Sequence, residues 1–148
     1  MILDKTNEFS DSQVVTATAV STNVIDLNPS NANPVQDIGA GEPVWFVAQV
    51  DASAAAAGAA TVVITLESDS DPALATAPTV HYTSAAIPVA QLTAGAEPIK
   101  VRLPAGAYKR YLGVRYTVGT GPLTAGAFST FITKDIQNKR QYKSGYSV

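Results

Sequence analysis

Few residues in this chain are of types that carry out chemistry, and their spacing argues against each reaction in turn. His81 is the sole histidine, and there is no cysteine. A nucleophilic triad needs a base beside its serine, yet His81 sits in Val80-His81-Tyr82-Thr83 and no Gly-x-Ser-x-Gly elbow occurs. Zinc asks for several His or Cys ligands, which the composition does not supply. Glu67-Ser68-Asp69-Ser70-Asp71 alternates oxygen-bearing side chains as a calcium loop does. It lacks the glycine and closing Glu of an EF-hand and runs into Pro72, so a solvated turn is expected, with an ion at Asp69 and Asp71 left open. Nothing singles out two carboxylates for glycoside hydrolysis. Gly39-Ala40-Gly41 and Gly119-Thr120-Gly121 open no helix, so neither reads as a phosphate cradle. The expectation is a protein that is not an enzyme and carries no cofactor or metal.

Cations offer the second kind of chemistry. Lys134, Lys139, Arg140 and Lys143 interleave with Tyr142 and Tyr146 in a basic tail that could neutralise phosphates and stack on bases. The formal net charge of -2, however, hides a division along the chain. Residues 1–99 hold one Lys against eleven acids, a charge of -10, whereas residues 100–148 hold nine Lys and Arg against one Asp, a charge of +8. Such segregation fits an oriented protein interface or mutual neutralisation of the two halves across a sheet. Both readings stand at this point, and nucleic acid ranks behind them because the body of the chain is acidic.

A chain of 148 residues without cysteine must hold itself together by one hydrophobic core. Charged residues make up 15%, below the usual quarter, which suits a surface packed against other protein. The start, Met1-Ile2-Leu3-Asp4-Lys5, has no basic region followed by an apolar run, and no stretch is apolar enough to span a bilayer. Neither a secretory signal nor a membrane partner is expected.

The elements that would position these residues are read from period-two alternation. Pro98–Val118 shows it best. Ile99, Val101 and Leu103 alternate with Lys100 and Arg102, and after a Pro/Gly turn Leu112, Val114, Tyr116 and Val118 share one face. This predicts an antiparallel pair with a basic, aromatic outer surface. Gln13–Leu27 gives one or two strands, and Val44–Val50, apolar on both faces, gives a central strand with Trp45 as core anchor. Residues 52–60, with four consecutive alanines, read as a small-residue loop with one helical turn. Thr61–Glu67 and Gly126–Thr133 are strands, the latter with Phe128, Thr130 and Ile132 on one face. Asn28–Pro34 and Ser68–Pro78 are loops. Short strands, turn-rich connections and no long helix predict an all-β fold, a jelly-roll-like antiparallel β-sandwich. The divisions expected are an N-terminal arm at 1–12, a sandwich at 13–133 and the tail at 134–148.

The run Leu103-Pro104, then Lys109–Thr120 and Thr124–Phe128, resembles tailed-phage capsid cement proteins of the Bbp16-like type. Met1–Lys5, Phe9–Gln13, Ser21–Leu27 and Asp135-Ile136-Gln137 are similar to the same family. None of these motifs is catalytic. The resemblance implies a jelly-roll protein on the capsid exterior of the virion, assembled in the bacterial host cytoplasm. Its partners would be the major capsid protein and further copies of itself, as homodimer or homotrimer. Interface candidates are Ile2, Leu3 and Phe9 in the arm and Lys139, Arg140, Tyr142 and Lys143 in the tail, because extended segments gain large contact areas when they order. Lys100, Arg102, Lys109, Arg110 and Arg115 follow as a cationic patch. The alternative is a lectin-like or receptor-binding sandwich module using Tyr82, Tyr108 or Tyr142.

Overall fold

Alternating β-branched and aromatic residues set ten short strands into two sheets in a computed structural model that describes residues 4–28, 38 and 41–136. The strands are β1 (Glu8–Val14), β2 (Ala19–Val20), β3 (Ile25–Asp26), β4 (Trp45–Ala55), β5 (Thr61–Asp69), β6 (Thr79–Thr83), β7 (Ile87–Pro88), β8 (Ile99–Arg102), β9 (Tyr111–Gly119) and β10 (Ala125–Thr133). One sheet runs β1-β10-β4-β8. The other runs β2-β9-β5-β6, with β3 also paired to β9 and β7 to β5. Every pairing is antiparallel.

The pairs are nested. First pairs with last (β1 with β10), then β2 and β3 with β9, β4 with β8, and β5 with β6 and β7. Folding such a nested ribbon over itself gives the jelly roll, and the expected fold class holds. Inward residues of both sheets fill the space between them: Phe9, Phe46, Val50, Ile64, Leu66, Leu112, Val114 and Phe128 are all fully buried. Phe46 meets Phe9 edge-on at 6.1 Å and Tyr82 at 6.0 Å, the tilted geometry that aromatic quadrupoles favour. Phe128, Thr130 and Ile132 do share the inner face.

Three hydroxyls interrupt this apolar interior. Tyr116 of β9 reaches across to the other sheet, where its oxygen lies 2.5 Å from Ser10 Oγ on β1 and 2.9 Å from Thr130 Oγ1 on β10. Ser10 and Thr130 close the ring at 2.7 Å. Each hydroxyl has one hydrogen to give and lone pairs to accept, so a ring of three satisfies every member away from water. Burial pushes the Tyr116 phenol above its ordinary pKa, against the opposing pull of its two hydroxyl partners. The ring stacks on Phe128 at 5.5 Å.

Four sequence expectations need correction. β8 and β9 do not form a hairpin: β8 pairs β4 in one sheet and β9 pairs β5 in the other, because nested pairing sends successive strands to opposite sheets. Their inward faces are as expected, but residues 103–110 are an inter-sheet crossover rather than a turn. Phe9 is not a surface anchor of a free arm. It lies at the centre of the core, and the strand begins at Glu8, inside the segment expected to be an arm. Trp45 is no core anchor, since Phe46, Ala48 and Val50 take the inward parity and turn Trp45 outward, half-buried. Finally, β4 continues through Ala55 instead of yielding to a helical turn. Pairing with β10 (Ala125 with Ala55, Ala127 with Ala52) overrides alanine's helix preference. Gly126, at φ +148°, brings the chains so close that a Cβ there would lie 3.3 Å from Ala54.

Replacing Tyr116 by Phe keeps the stacking and removes one member of the hydroxyl ring. The expected loss is about 1–2 kcal/mol, since Ser10 and Thr130 stay bonded to each other but each forfeits a partner. Urea unfolding reads it directly, and an unchanged midpoint with an unchanged slope would remove the ring from the account of stability.

Candidate functional site

The cations singled out in the sequence turn out to be occupied by their own chain. Arg110 grips Asp26 through Nε at 3.0 Å and Nη2 at 2.9 Å, and its guanidinium lies 5.0 Å from the Tyr111 ring centre. That hydrogen-bonded pairing holds the Asp26 carboxyl below the usual range and lifts Arg110. Arg115 reaches both Glu67 oxygens through Nε, at 3.2 and 3.0 Å, and donates through Nη2 to the Leu74 carbonyl at 2.7 Å. Lys100 pairs with Glu97 at 2.5 Å, and the Lys109 ammonium donates to the Ala77 carbonyl. Beyond the patch, Lys134 pairs with Glu42 at 2.9 Å. Of the five patch cations, Arg102 alone has neither an ion pair nor a hydrogen bond among the described residues, and it is exposed. Each of the four ion pairs among the described residues joins a cation of the basic half to an acid of the acidic half. The charge division is thus met in part inside the fold.

The loop after β5 shows why. Asp69 is fully buried, and its Oδ1 accepts the Ser70 N–H at 2.7 Å while Oδ2 accepts the Thr76 and Ala77 N–H groups, each at 3.0 Å. Burial alone would raise this carboxyl. The three backbone donors and the nearby Lys109 charge outweigh it and hold the pKa below the ordinary value. The loop so tied lays Leu74 (φ +53°) over the outer face of β9, where a Cβ on Gly113 would meet Leu74 Cδ1 at 2.8 Å and Val24 Cγ1 at 2.9 Å. Asp71 accepts from Ala73 N–H at 3.1 Å. With these oxygens facing N–H donors, the loop is built as a hydrogen-bonded cover rather than a cation cage. Among the described residues no three acids or histidines gather to hold a metal.

A pair that sequence reasoning missed lies beside this loop. Ser68 Oγ is 2.6 Å from His81 Nε2, and Tyr108 stacks on the imidazole at 4.2 Å. Ser68 is fully buried and also accepts the Lys109 backbone N–H at 3.0 Å. Nε2 is the acceptor within reach of the Ser68 hydrogen, and the tautomer that uses it carries the imidazole proton on Nδ1. Desolvation, with help from Lys109, holds His81 below its ordinary pKa. No described carboxylate orients the ring, and the serine is sealed from solvent, so the couple lacks the layout of a nucleophilic site. The signal was available: Ser68 and His81 flank one polar loop, so a hairpin closing over it brings them together.

The outer face of the β1-β10-β4-β8 sheet is chemically mixed. Trp45, Val47 and Phe131 form an apolar centre, with Val47 and Phe131 register partners. Both are nearly excluded from solvent, at 4% and 3% exposure, although they point away from the inter-sheet core. Lys100 and Arg102 border this centre on β8, opposite Val47 and Trp45. Glu8 and Asp11 lie on β1 at the other edge, and Asp51 lies farther along β4. Glu8 is raised by its desolvation, with Asp11 and Asp51 adding repulsion and Lys5 opposing. A groove opens between the start of β1 and residues 22–26, where Asn23 donates to the Phe9 and Glu8 carbonyls and closes the free edge of β1. Tyr82 is packed on Phe46 and Tyr108 on His81, so neither offers a free stacking platform. Ile2, Leu3, Lys139, Arg140, Tyr142 and Lys143 lie outside the described residues.

The described residues form a nested all-β jelly roll whose polar groups are turned mostly on one another. The Bbp16 family model matches residues 9–132, most of the chain, and the chain belongs to the Bbp16 family, which is of phage type. No curated protein matches it.

Acid gives the test of the loop. Because Asp69 is ionised more easily in the fold than in the open chain, its contribution is present above the ordinary carboxylate range and fades as pH falls through its lowered folded value. Amide exchange at Thr76 and Ala77 should lose protection in that acid range. Asp69→Ala should lose it already at neutral pH, and full protection in that variant would refute the tether.

Proposed function

We propose that this chain is a capsid cement protein, one that binds the exterior of a phage shell and fastens neighbouring major capsid subunits. The observation that supports this most is the family match across residues 9–132, over a jelly roll whose described residues assemble no reaction centre. The reading is of a non-enzymatic virion component acting as a homo-oligomer. Cementing of this kind works by multivalency: modest contacts to several subunits raise effective concentration, and release requires all of them to fail together.

On this reading the grip lies elsewhere than on most of the cationic patch. Four of the five patch cations are engaged within the chain, so they serve an interface by shape more than by free charge. Arg102, the Trp45-centred sheet face and residues 137–148 are the better candidates. Removing residues 1–11 is no clean test of attachment, because it deletes Phe9 and Ser10 from the core.

Shells assembled from the matching major capsid protein, mixed with this chain and sedimented, should carry it down and gain heat resistance. A chain ending at Ile136 should stay folded and be retained less well. Retention should weaken as salt rises from about 0.05 to about 0.5 M if charges at Arg102 and in the tail contribute. A flat salt response would assign the grip to the apolar sheet face, and a chain left wholly in the supernatant would end the cement reading.

A further inference from the structure

The crossover from β8 to β9 is held down at a point where one proton changes the bonding. Leu103 is buried and donates its N–H to Val44 O at 2.8 Å, and Tyr108 turns its hydroxyl back to Pro104 O at 2.8 Å. Further along, the attachment to the second sheet runs through Ser68. That hydroxyl accepts the Lys109 N–H at 3.0 Å and gives its own hydrogen to His81 Nε2 at 2.6 Å, while Tyr108 stacks on the same imidazole. Lys109 also ties its ammonium to Ala77 O in the loop after β5.

We infer that Ser68, His81, Tyr108 and Lys109 form an acid-released latch: a proton taken up at His81 Nε2 frees Tyr108 and Lys109 from β5, while Arg110 stays tied to Asp26 and Leu27 and both sheets stay paired. A protonated Nε2 donates instead of accepting. Ser68 must then accept from both Nε2 and the Lys109 N–H, and its own hydrogen is left in a fully buried position without a partner. The new imidazolium also faces the Lys109 ammonium. Around the ring stand Ser68 from β5, Tyr108 and Lys109 from the crossover, and Val80 and Tyr82 on its own strand. Asp69 points to the opposite face of β5 and is already bonded to Ser70, Thr76 and Ala77. No described carboxylate therefore hydrogen-bonds the imidazole to compensate its charge. The depressed folded pKa agrees in sign: the latch is closed above the ordinary histidine value and opens as pH falls below it. This is a property of the fold and does not depend on what the protein binds.

Amide exchange and imidazole titration by NMR on the full chain test it between about pH 7.5 and about pH 5. The Lys109 amide, corrected for intrinsic exchange, should lose roughly tenfold or more of its protection. The midpoint should match that of the His81 ring protons, while Val50 and Phe128 amides in the other sheet keep theirs. His81→Gln, which still accepts from Ser68 but does not titrate, should flatten the response. Lys109→Gln, which removes the repelling charge and keeps the backbone donor, should raise the His81 midpoint and gives a second reading if His81→Gln fails to fold. Three results overturn the latch: constant Lys109 protection across the range, the same loss in His81→Gln, or loss at Val50 and Phe128 together with Lys109.

Discussion

Nested antiparallel pairing is the constraint from which the other features follow. Once β1 pairs β10 and β4 pairs β8, the chain must pass between the sheets at every connection among the eight nested positions except the one from β5 to the β6–β7 pair. Each passage takes backbone out of ladder hydrogen bonding, and its polar groups need other partners. This explains where the side-chain bonds gather. Gln13, Ser21 and Asn23 serve the passage from β1 to β2 and β3, and Ser68, Tyr108 and Lys109 serve the one from β8 to β9. The Ser10–Tyr116–Thr130 ring supplies a fixed point between the sheets that apolar contact, being non-directional, does not.

Charge follows the same plan. The acidic and basic halves come together because nested pairing brings early strands against late ones. Asp26 beside Arg110 and Glu67 beside Arg115 are register neighbours, not accidents of a flexible surface. Asp26 sits opposite Tyr111, next to Arg110, and Glu67 opposite Gly113, two residues from Arg115. Of the two readings open at the sequence level, internal neutralisation accounts for Lys100, Arg110, Arg115 and Lys134, four of the seven described cations, whereas Lys5, Arg102 and Lys109 have no acid partner among the described residues.

What was legible in the sequence depended on how local its cause was. Side-chain parity in 99–103, 112–118 and 126–133 could be read because a period of two with one buried face fixes it. Strand partners could not, since consecutive strands, such as the one ending at Arg102 and the one beginning at Tyr111, belong to different sheets. Trp45 was misplaced by a single step of parity on a strand apolar on both faces. The alanines at 54 and 55 were misread because their conformation is imposed by β10, some seventy residues on. Arg110 and Arg115 looked free for the same reason: their acids lie 84 and 48 residues away. Ser68 and His81, only 13 apart, were the one pair within reach of a hairpin argument.

The hydroxyl ring also bears on how the chain reaches its fold. Ser10 and Thr130 are separated by 120 residues, and among the described residues β1 has no sheet partner other than β10. The first strand made is therefore the one that must wait for the last. Contacts of such sequence separation slow folding, because the loop entropy is lost before the contact forms. Emerging from a ribosome, the acidic half is left without its cations and its opening strand without an edge, so closure of the sandwich is deferred until the final strand is free. A chain cut short before β10 leaves β1 without its described partner, and synthesis of β10 becomes the event that commits these strands to their structure.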